Sequence, residues 1–328
     1  MPMKTDAFDN RPQTEIGTQP RPRDGFTLIG LLAVIVATGM VAVLLLPALA
    51  RTKAQAQAIQ CLNNHNMLAK AWTMYAADNN NRCVNNFGVA GTELEVNQET
   101  YRTWALNVMD WTTSSQNTNA SLLQKGLFGS FVQKGLLGPY VASASSYKCP
   151  ADHYLSTAQI QAGFQTRVRS YSMNGFVGYF SPCPTCVDGP VGSGSDPTYQ
   201  GISYMDGSPW PQYITLTGIS QPSKTFVFLD EQADSINDGY FDNGDQTEPS
   251  EPGATWTGSD IPGSYHNGAC GFSFADAHSE MHKWQSSSVI VPVKFQAQGG
   301  TSGMDAGGSA DRNWLCGHAC LLPPGVSE

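Results

Sequence analysis

Residues 22–50 read PRDGFTLIGLLAVIVATGMVAVLLLPALA, and from Phe26 to Ala50 the run carries no charged side chain. A secretory signal has an apolar core of roughly 7–15 residues with a small-residue cut after it. This run is longer, and its small residue, Gly25, precedes it. At ~1.5 Å rise per residue it spans ~37 Å, enough to cross a ~30 Å hydrocarbon core with some tilt. Beyond Pro47 the pattern stays helical. Ile59, Leu62, Ala69, Trp72 and Ala76 share one face, while Arg51, Lys53, Gln55, Gln57 and Lys70 fall largely elsewhere. Asp78-Asn79-Asn80-Asn81 ends it, because such side chains compete for backbone hydrogen bonds and favour turns. A helix of about 50 residues, half in lipid and half in water, is expected.

Gly25-Phe26-Thr27-Leu28-Ile29 followed by Leu31-Leu32 resembles the processing motif of type IV pilin-like prepilins and type II secretion pseudopilins. The resemblance implies that a prepilin peptidase cuts after Gly25 and N-methylates Phe26, leaving residues 1–25 as a leader. It implies an α+β, pilin-like fold: a transmembrane half at 26–50, a soluble half of the same helix at 51–81, and an antiparallel β-rich domain with long loops at 82–328. Gly39 and Pro47 fall where many pilins loosen this helix; proline removes an intrahelical hydrogen bond and glycine costs ~1 kcal/mol against alanine. At the fifth position after the cut, where most members carry glutamate, stands Gly30. That departure removes the charge that pairs with a neighbouring subunit. It points to a minor or tip-type subunit, or else to a divergent copy that assembles poorly.

A second resemblance covers the other half. Arg169-Ser-Tyr-Ser-Met-Asn-Gly175, Pro222-Ser-Lys-Thr225 and His266 through Asp276 are similar to segments of a large prepilin-like family whose C-terminal region carries a histidine, nine residues and Asp-Gly. Here the glycine is replaced by Ala277. Partners implied by resemblance are the peptidase, other pilin or pseudopilin subunits, an inner-membrane assembly platform and membrane lipid.

The net charge of -9 arises after the leader, where Lys4, Arg11, Arg21 and Arg23 balance Asp6, Asp9, Glu15 and Asp24. Without a basic stripe, nucleic acid is not an expected partner. Arg21 and Arg23 before the span nearly tie with Arg51 and Lys53 after it, so the positive-inside comparison does not orient it. All eight cysteines follow the span, which suits an oxidising space and a single-pass inner-membrane protein with its C-terminal part in the periplasm or an extracellular filament.

Glycine and proline number 33 and 20, and only 14% of residues are charged, so short strands between turns are expected beyond Cys83. The best are 213–216, 225–229, 271–274, 278–284 and 289–295, with a small helix pair at 121–137. Glycine-rich loops are expected at 190–197 and 299–308.

Several constellations compete for chemistry. Cys61, Cys83, Cys149, Cys183, Cys186, Cys270, Cys316 and Cys320 are disulfide candidates; Cys183, Cys186, Cys316 and Cys320, with His318 in reserve, also have zinc-ligand spacings, but disulfides are the favoured reading. His278, Glu280 and His282 alternate onto one strand face, which fits a metal or simply solvent. Asp276 is expected to hold the hairpin turn, and Ala277 to mark a turn without a positive φ. Asp230, Glu231, Asp234, Asp238, Asp242, Asp245 and Glu248 offer oxygen ligands, so a calcium loop at Asp234, Asp238, Asp242 and Asp245 stands against a solvated acidic loop, the favoured reading. No nucleophile pair, phosphate loop or zinc-protease motif occurs, and catalysis is not expected. Two rivals to an assembly subunit are a membrane-tethered binding protein using Trp210, Trp256 and Tyr240, and a metal-dependent hydrolase using His266, His278 and His282.

Overall fold

The computed structural model describes residues 27–123, 135–179, 212–243, 260–287, 289–296 and 310–320, and the chain divides into two units, Met1–Ala50 and Arg51–Glu328. Helix α1, Leu28–Asp78, contributes to both. In the first unit its side chains are almost wholly exposed, Leu28 at 85%, and it is long and apolar enough to cross a membrane. The side-chain hydroxyls of this stretch bond within the helix, as a segment crossing hydrocarbon would need. Thr27 Oγ1 accepts from Gly30 N at 3.1 Å, and Thr38 Oγ1 donates to the carbonyls of Val34 and Ile35 at 2.9 and 3.0 Å. Pro47 lies inside the helix without ending it.

In the second unit α1 turns one face inward: Cys61, Asn64, His65, Leu68, Ala69, Ala71, Trp72 and Ala76 are buried. Ala69, Trp72 and Ala76 lie on the face that apolar spacing marks. Ile59 does not, being 61% exposed, because the seam there is made by polar side chains that hydrophobic periodicity passes over. Asn80 and Asn81 take left-handed φ of 55° and 64°, and Asn81 N closes onto Ala76 O at 2.8 Å, so the asparagine run stops the helix.

Five strands form one sheet among the described residues, in the order β3-β1-β2-β4-β5: β1 Tyr171–Asn174, β2 Phe226–Asp230, β3 Tyr240–Phe241, β4 Ala269–Phe274 and β5 Ser279–Lys283. The expected strands near 225–229, 271–274 and 278–284 are β2, β4 and β5. The sheet is mixed and not purely antiparallel, since β1 pairs parallel with β3. Residues 213–216 make only isolated bridges at Tyr213 and Thr215 before a 3₁₀ turn at Leu216–Gly218, and 289–296 contain no strand. Most of the expected helix pair, 124–134, lies outside the described residues; the described flanks are a 3₁₀ turn, Ala120–Leu122, and a turn at 135–140. The loops at 190–197 and 299–308 also lie outside them.

Three helices escape the periodicity: α2 Val89–Gln98, α3 Thr157–Gln161 and α4 Ala310–Ala319. In a strand, neighbours point to opposite faces, so Gly271 and Phe272 of β4 meet different layers. Gly271 faces α1, and a Cβ there would stand 2.9 Å from His65 Cδ2. Phe272 meets Trp314 of α4 edge-on at 4.9 Å. Ser279 Oγ donates to Leu62 O at 3.0 Å on the α1 side, and Asn174 Nδ2 donates to Ala319 O at 2.7 Å on the α4 side. The sheet therefore lies between the soluble half of α1 and α4.

The β4–β5 turn reverses an expectation. Ala277 has φ 70°, Ala277 N donates to Phe274 O at 2.8 Å and Phe274 N to His278 O at 3.0 Å: a three-residue hairpin loop whose last member is left-handed. The left-handed region costs an L residue roughly 1–2 kcal/mol, partly offset because glycine loses more entropy on folding. Ala277→Gly is expected to raise stability by about 0.5–1 kcal/mol, read as a higher urea midpoint; an unchanged or lower midpoint would show that the turn carries no such strain.

Candidate functional site

Four elements distant in sequence converge at one buried point. Cys61 comes from α1, Cys149 from the segment after the 3₁₀ turn Ala144–Tyr147, Asp230 from the end of β2, and His266 from the turn before β4. One ligand atom from each lies within 4.8 Å of all the others. The side chain of Asp230 is fully buried and that of His266 is 5% exposed. Cys61 Sγ lies 3.2 Å from Asp230 Oδ1 and 3.6 Å from Oδ2; Cys149 Sγ lies 3.2 Å from His266 Nε2, which is 3.8 Å from Asp230 Oδ2.

The surroundings orient these groups. Gly271 N donates to Asp230 Oδ2 at 2.7 Å, and His65 Nε2 is 3.3 Å from Oδ1. Tyr171 OH donates to Cys61 Sγ at 3.5 Å, and Asn64 Nδ2 to Lys148 O at 2.8 Å, fixing the helix against the Cys149 segment. Desolvation, the Cys149 contact and the Asp230 charge push the Cys61 thiol well up, desolvation raises Cys149, and burial lowers His266 despite Asp230. Burial thereby favours the neutral imidazole over its cation.

Cys, His and Asp together suggest a nucleophilic triad, but the geometry excludes one. In a triad the thiol and the carboxylate address opposite ring nitrogens; here Cys149 and Asp230 both face Nε2 of His266. Convergence on a common point is instead an arrangement that could hold a metal ion.

The other candidates are dispersed. His278 and His282 lie on the α4 side of the sheet, opposite the face where Gly271 meets His65, so the hydrolase trio with His266 is not assembled. His278 stacks on Phe274 at 4.3 Å and takes a 2.5 Å contact from Nδ1 to Asp276 Oδ1, which also accepts His278 N at 3.1 Å; Asp276 thus holds the turn. His282 stacks on Trp314 at 3.7 Å, and burial lowers it to about 4. Glu280 is exposed. The β5 face is therefore partly roofed by α4 and not simply open to solvent.

Of the calcium candidates, Asp234 accepts the backbone N–H groups of Lys294 and Gln296 at 2.6 and 3.2 Å, Asp238 accepts Tyr240 N at 2.7 Å, and Asp242 N donates to Asp260 Oδ2 at 2.6 Å. They form no metal-sized group among the described residues, and Asp234 and Asp238 are buried, so the solvated-loop reading fails for these two as well. Asp245, Glu248, Cys183, Cys186, Trp210, Trp256, Gly25 and Phe26 lie outside the described residues. Tyr240 packs its ring over Gly175.

The disulfide framework is not what the described cysteines form. Cys61, Cys83, Cys149, Cys270 and Cys316 are buried free thiols, and Cys320 is buried as well. The core is large enough for thiols to pack as small apolar groups; Cys316 joins Leu315 and Ala319 on the inner face of α4, and Cys320, the next residue after the helix, is buried too. The described cysteines therefore add no disulfide to the argument for an oxidising compartment, and Cys183 and Cys186 lie outside the described residues.

The segment Arg169–Gly175 is scaffolding. Arg169 donates to Asn107 Oδ1, Tyr171 O, Ser172 Oγ and Asn237 O at 2.7–3.1 Å, and faces the buried carboxyls Glu231, Asp238 and Asp260. Pro222–Thr225 braces the His266-to-Asp276 turn, since Ala275 N donates to Thr225 O at 2.9 Å and Asp276 N to Pro222 O at 3.3 Å.

One buried guanidinium cannot hold three carboxyls ionised. Desolvation raises Glu231 and Asp260, and lifts Asp238 to about 7. Their folded pKa values exceed the unfolded ones near 4, so the stability they contribute is present below pH ~4 and lost as pH rises, through about 7 for Asp238 and about 8 for Glu231. His282, depressed to about 4, acts oppositely and costs stability as pH falls from ~6.5. Thermal melting across pH 4–9 is expected to peak on the acidic side of neutrality, and Asp238→Asn to flatten the alkaline limb. An unaltered limb in that variant refutes the assignment.

No protein-family model, curated protein or solved structure matches the chain.

Proposed function

We propose that the protein is a pilin-like or pseudopilin assembly subunit, of minor or tip type, anchored in the inner membrane by the first half of α1. One observation carries the reading: a single 51-residue helix presents an exposed, uncharged apolar half and, within the unit Arg51–Glu328, an amphipathic half seated on a five-stranded sheet. The sequence signature at Gly25-Phe26 supports it independently. The mechanism is mechanical. Apolar helices leave the bilayer and pack side by side, exchanging lipid contacts for helix contacts, while the β-rich units present their loops to partners or cargo.

Gly30 and Gly39 fit this picture as filament positions, since neither is imposed by crowding inside the chain. A Cβ at Gly39 would meet nothing within 4 Å, and one at Gly30 only the Thr27 hydroxyl at 3.2 Å. Co-expression with a prepilin peptidase is expected to yield a mature amino terminus at N-methylated Phe26 by mass spectrometry. Cross-linking in cells should then join the chain to other filament subunits. An intact Met1 after co-expression, or a chain that contacts no other subunit, refutes the reading and leaves a solitary tethered protein.

A further inference from the structure

We infer that Cys61, Cys149, Asp230 and His266 form a structural zinc site that locks the soluble half of α1 onto the sheet. The first support is metric. A tetrahedral zinc ion with Zn–S of about 2.3 Å and Zn–N or Zn–O of about 2.0–2.2 Å separates its ligand atoms by about 3.3–3.8 Å. Cys61 to Asp230 at 3.2 and 3.6 Å, Cys149 to His266 at 3.2 Å and His266 to Asp230 at 3.8 Å bracket that range, and the remaining separations are below 4.8 Å.

Charge is the second support. Asp230 is fully buried, and its ion-pair partners among the described residues are His65 and His266, cationic only when protonated. A divalent cation satisfies a buried carboxylate where hydrogen bonds from thiols do so weakly. Two sulfurs, an imidazole and one carboxylate suit zinc, whereas calcium and magnesium take oxygen. All four positions are filled by protein, so the site is closed and structural, with no place left for a reacting water.

Around the ligands, Gly271 N and His65 Nε2 aim the carboxylate, and Tyr171 OH touches Cys61 Sγ. Such outer contacts set ligand orientation and metal affinity. Binding converts two thiols to thiolates: two Zn–S bonds form, two protons pass to solvent, and no electron moves. His266 thereby gains a role that the spacing to Asp276 does not disclose. The histidine binds at one end of the β4–β5 hairpin, and the aspartate shapes the turn at the other.

The test uses the full-length chain, purified in detergent under reducing conditions, stripped with a chelator and titrated with Co2+, then with Zn2+. A single equivalent of cobalt should give the visible spectrum of a tetrahedral ion with thiolate charge transfer, and zinc should displace it. Cys61→Ser with Cys149→Ser abolishes the charge-transfer band. His266→Cys retains four donors and adds charge-transfer intensity, an outcome that a merely unfolded variant cannot give. His65→Gln, at a residue that is not itself a ligand but holds the Asp230 carboxylate, lowers zinc affinity about 10–100-fold. Cobalt binding without a thiolate band overturns the site. So does a band that survives the double variant but vanishes with Cys183→Ser and Cys186→Ser, or peptide mapping that finds Cys61 and Cys149 joined as a disulfide in the protein as isolated.

Discussion

Trp104→Ala is expected to destabilise the fold by about 3–5 kcal/mol, the range for removing a large buried aromatic. The indole is fully buried, stacks on Tyr147 at 6.0 Å and meets Phe228 edge-on at 5.1 Å. Its Nε1 donates to Asn86 Oδ1 at 3.0 Å and to Gly239 O at 3.1 Å, joining the segment after α1 to the residue that precedes β3. Gly239 is shaped to it, since a Cβ there would stand 2.6 Å from Nε1. Against a typical domain stability of 5–15 kcal/mol, this one truncation removes a large share. Trp104→Phe separates the two contributions: most packing remains while two buried acceptors lose their donor, at a cost of about 1–3 kcal/mol. Urea unfolding of both variants in detergent measures the difference. If alanine and phenylalanine cost the same, ring packing contributes nothing and the account of this core is wrong.

The second large effect is expected at Gly271. Its backbone is ordinary strand, so a substitution there is opposed by space alone. A methyl group would meet His65 Cδ2 at 2.9 Å, Nε2 at 3.0 Å and Asp230 Oδ2 at 3.1 Å. Neither neighbour yields easily, because both side chains are fully buried and Asp230 Oδ2 also accepts Gly271 N. Gly271→Ala is expected to cost about 1–3 kcal/mol by overpacking. Gly317→Ala is the matched control: nothing lies within 4 Å of a Cβ at that position on α4, and alanine favours helix. The control should be neutral or stabilising. Equal losses in the two variants would mean that α1 does not sit on β4 as described.

How much of the molecule was legible in sequence follows from what each signal measures. Length and lack of charge from Phe26 to Ala50 are local properties, and they announced a span-length helix. The asparagine run announced its end, because a left-handed turn is also local. Strands β2 and β4 were legible since Phe226–Leu229 and Gly271–Phe274 are apolar and β-prone. Strand β1 was not: Tyr-Ser-Met-Asn alternates over only four residues, too short a run to mark a strand, and Ser172 and Asn174, which alternation would send to solvent, are buried because Arg169, Glu231 and distant carbonyls satisfy them. Helix α4 was hidden for a related reason, its Cys-Gly-His-Ala-Cys run reading as a ligand motif when two of those residues are packing.

Candidate ligands divide along the same line. Motif spacing can point to groups that are neighbours in sequence, such as Cys316 and Cys320 or His278 and His282. It is silent about 61, 149, 230 and 266. A partial clue was present, since Cys61, Asn64, His65, Leu68 and Trp72 share one helical face, and polar residues in a buried seam require partners.

The sequence by itself determined a long helix, its apolar and amphipathic halves, its stop at the asparagines and a mixed α and β composition beyond, because those depend on contacts within a few residues. Only tertiary structure decided that thiols from α1 and a distant loop, a strand-end carboxylate and a turn histidine share one buried point. Chain folding through a sheet sets distances between residues far apart in sequence, and no local pattern encodes them.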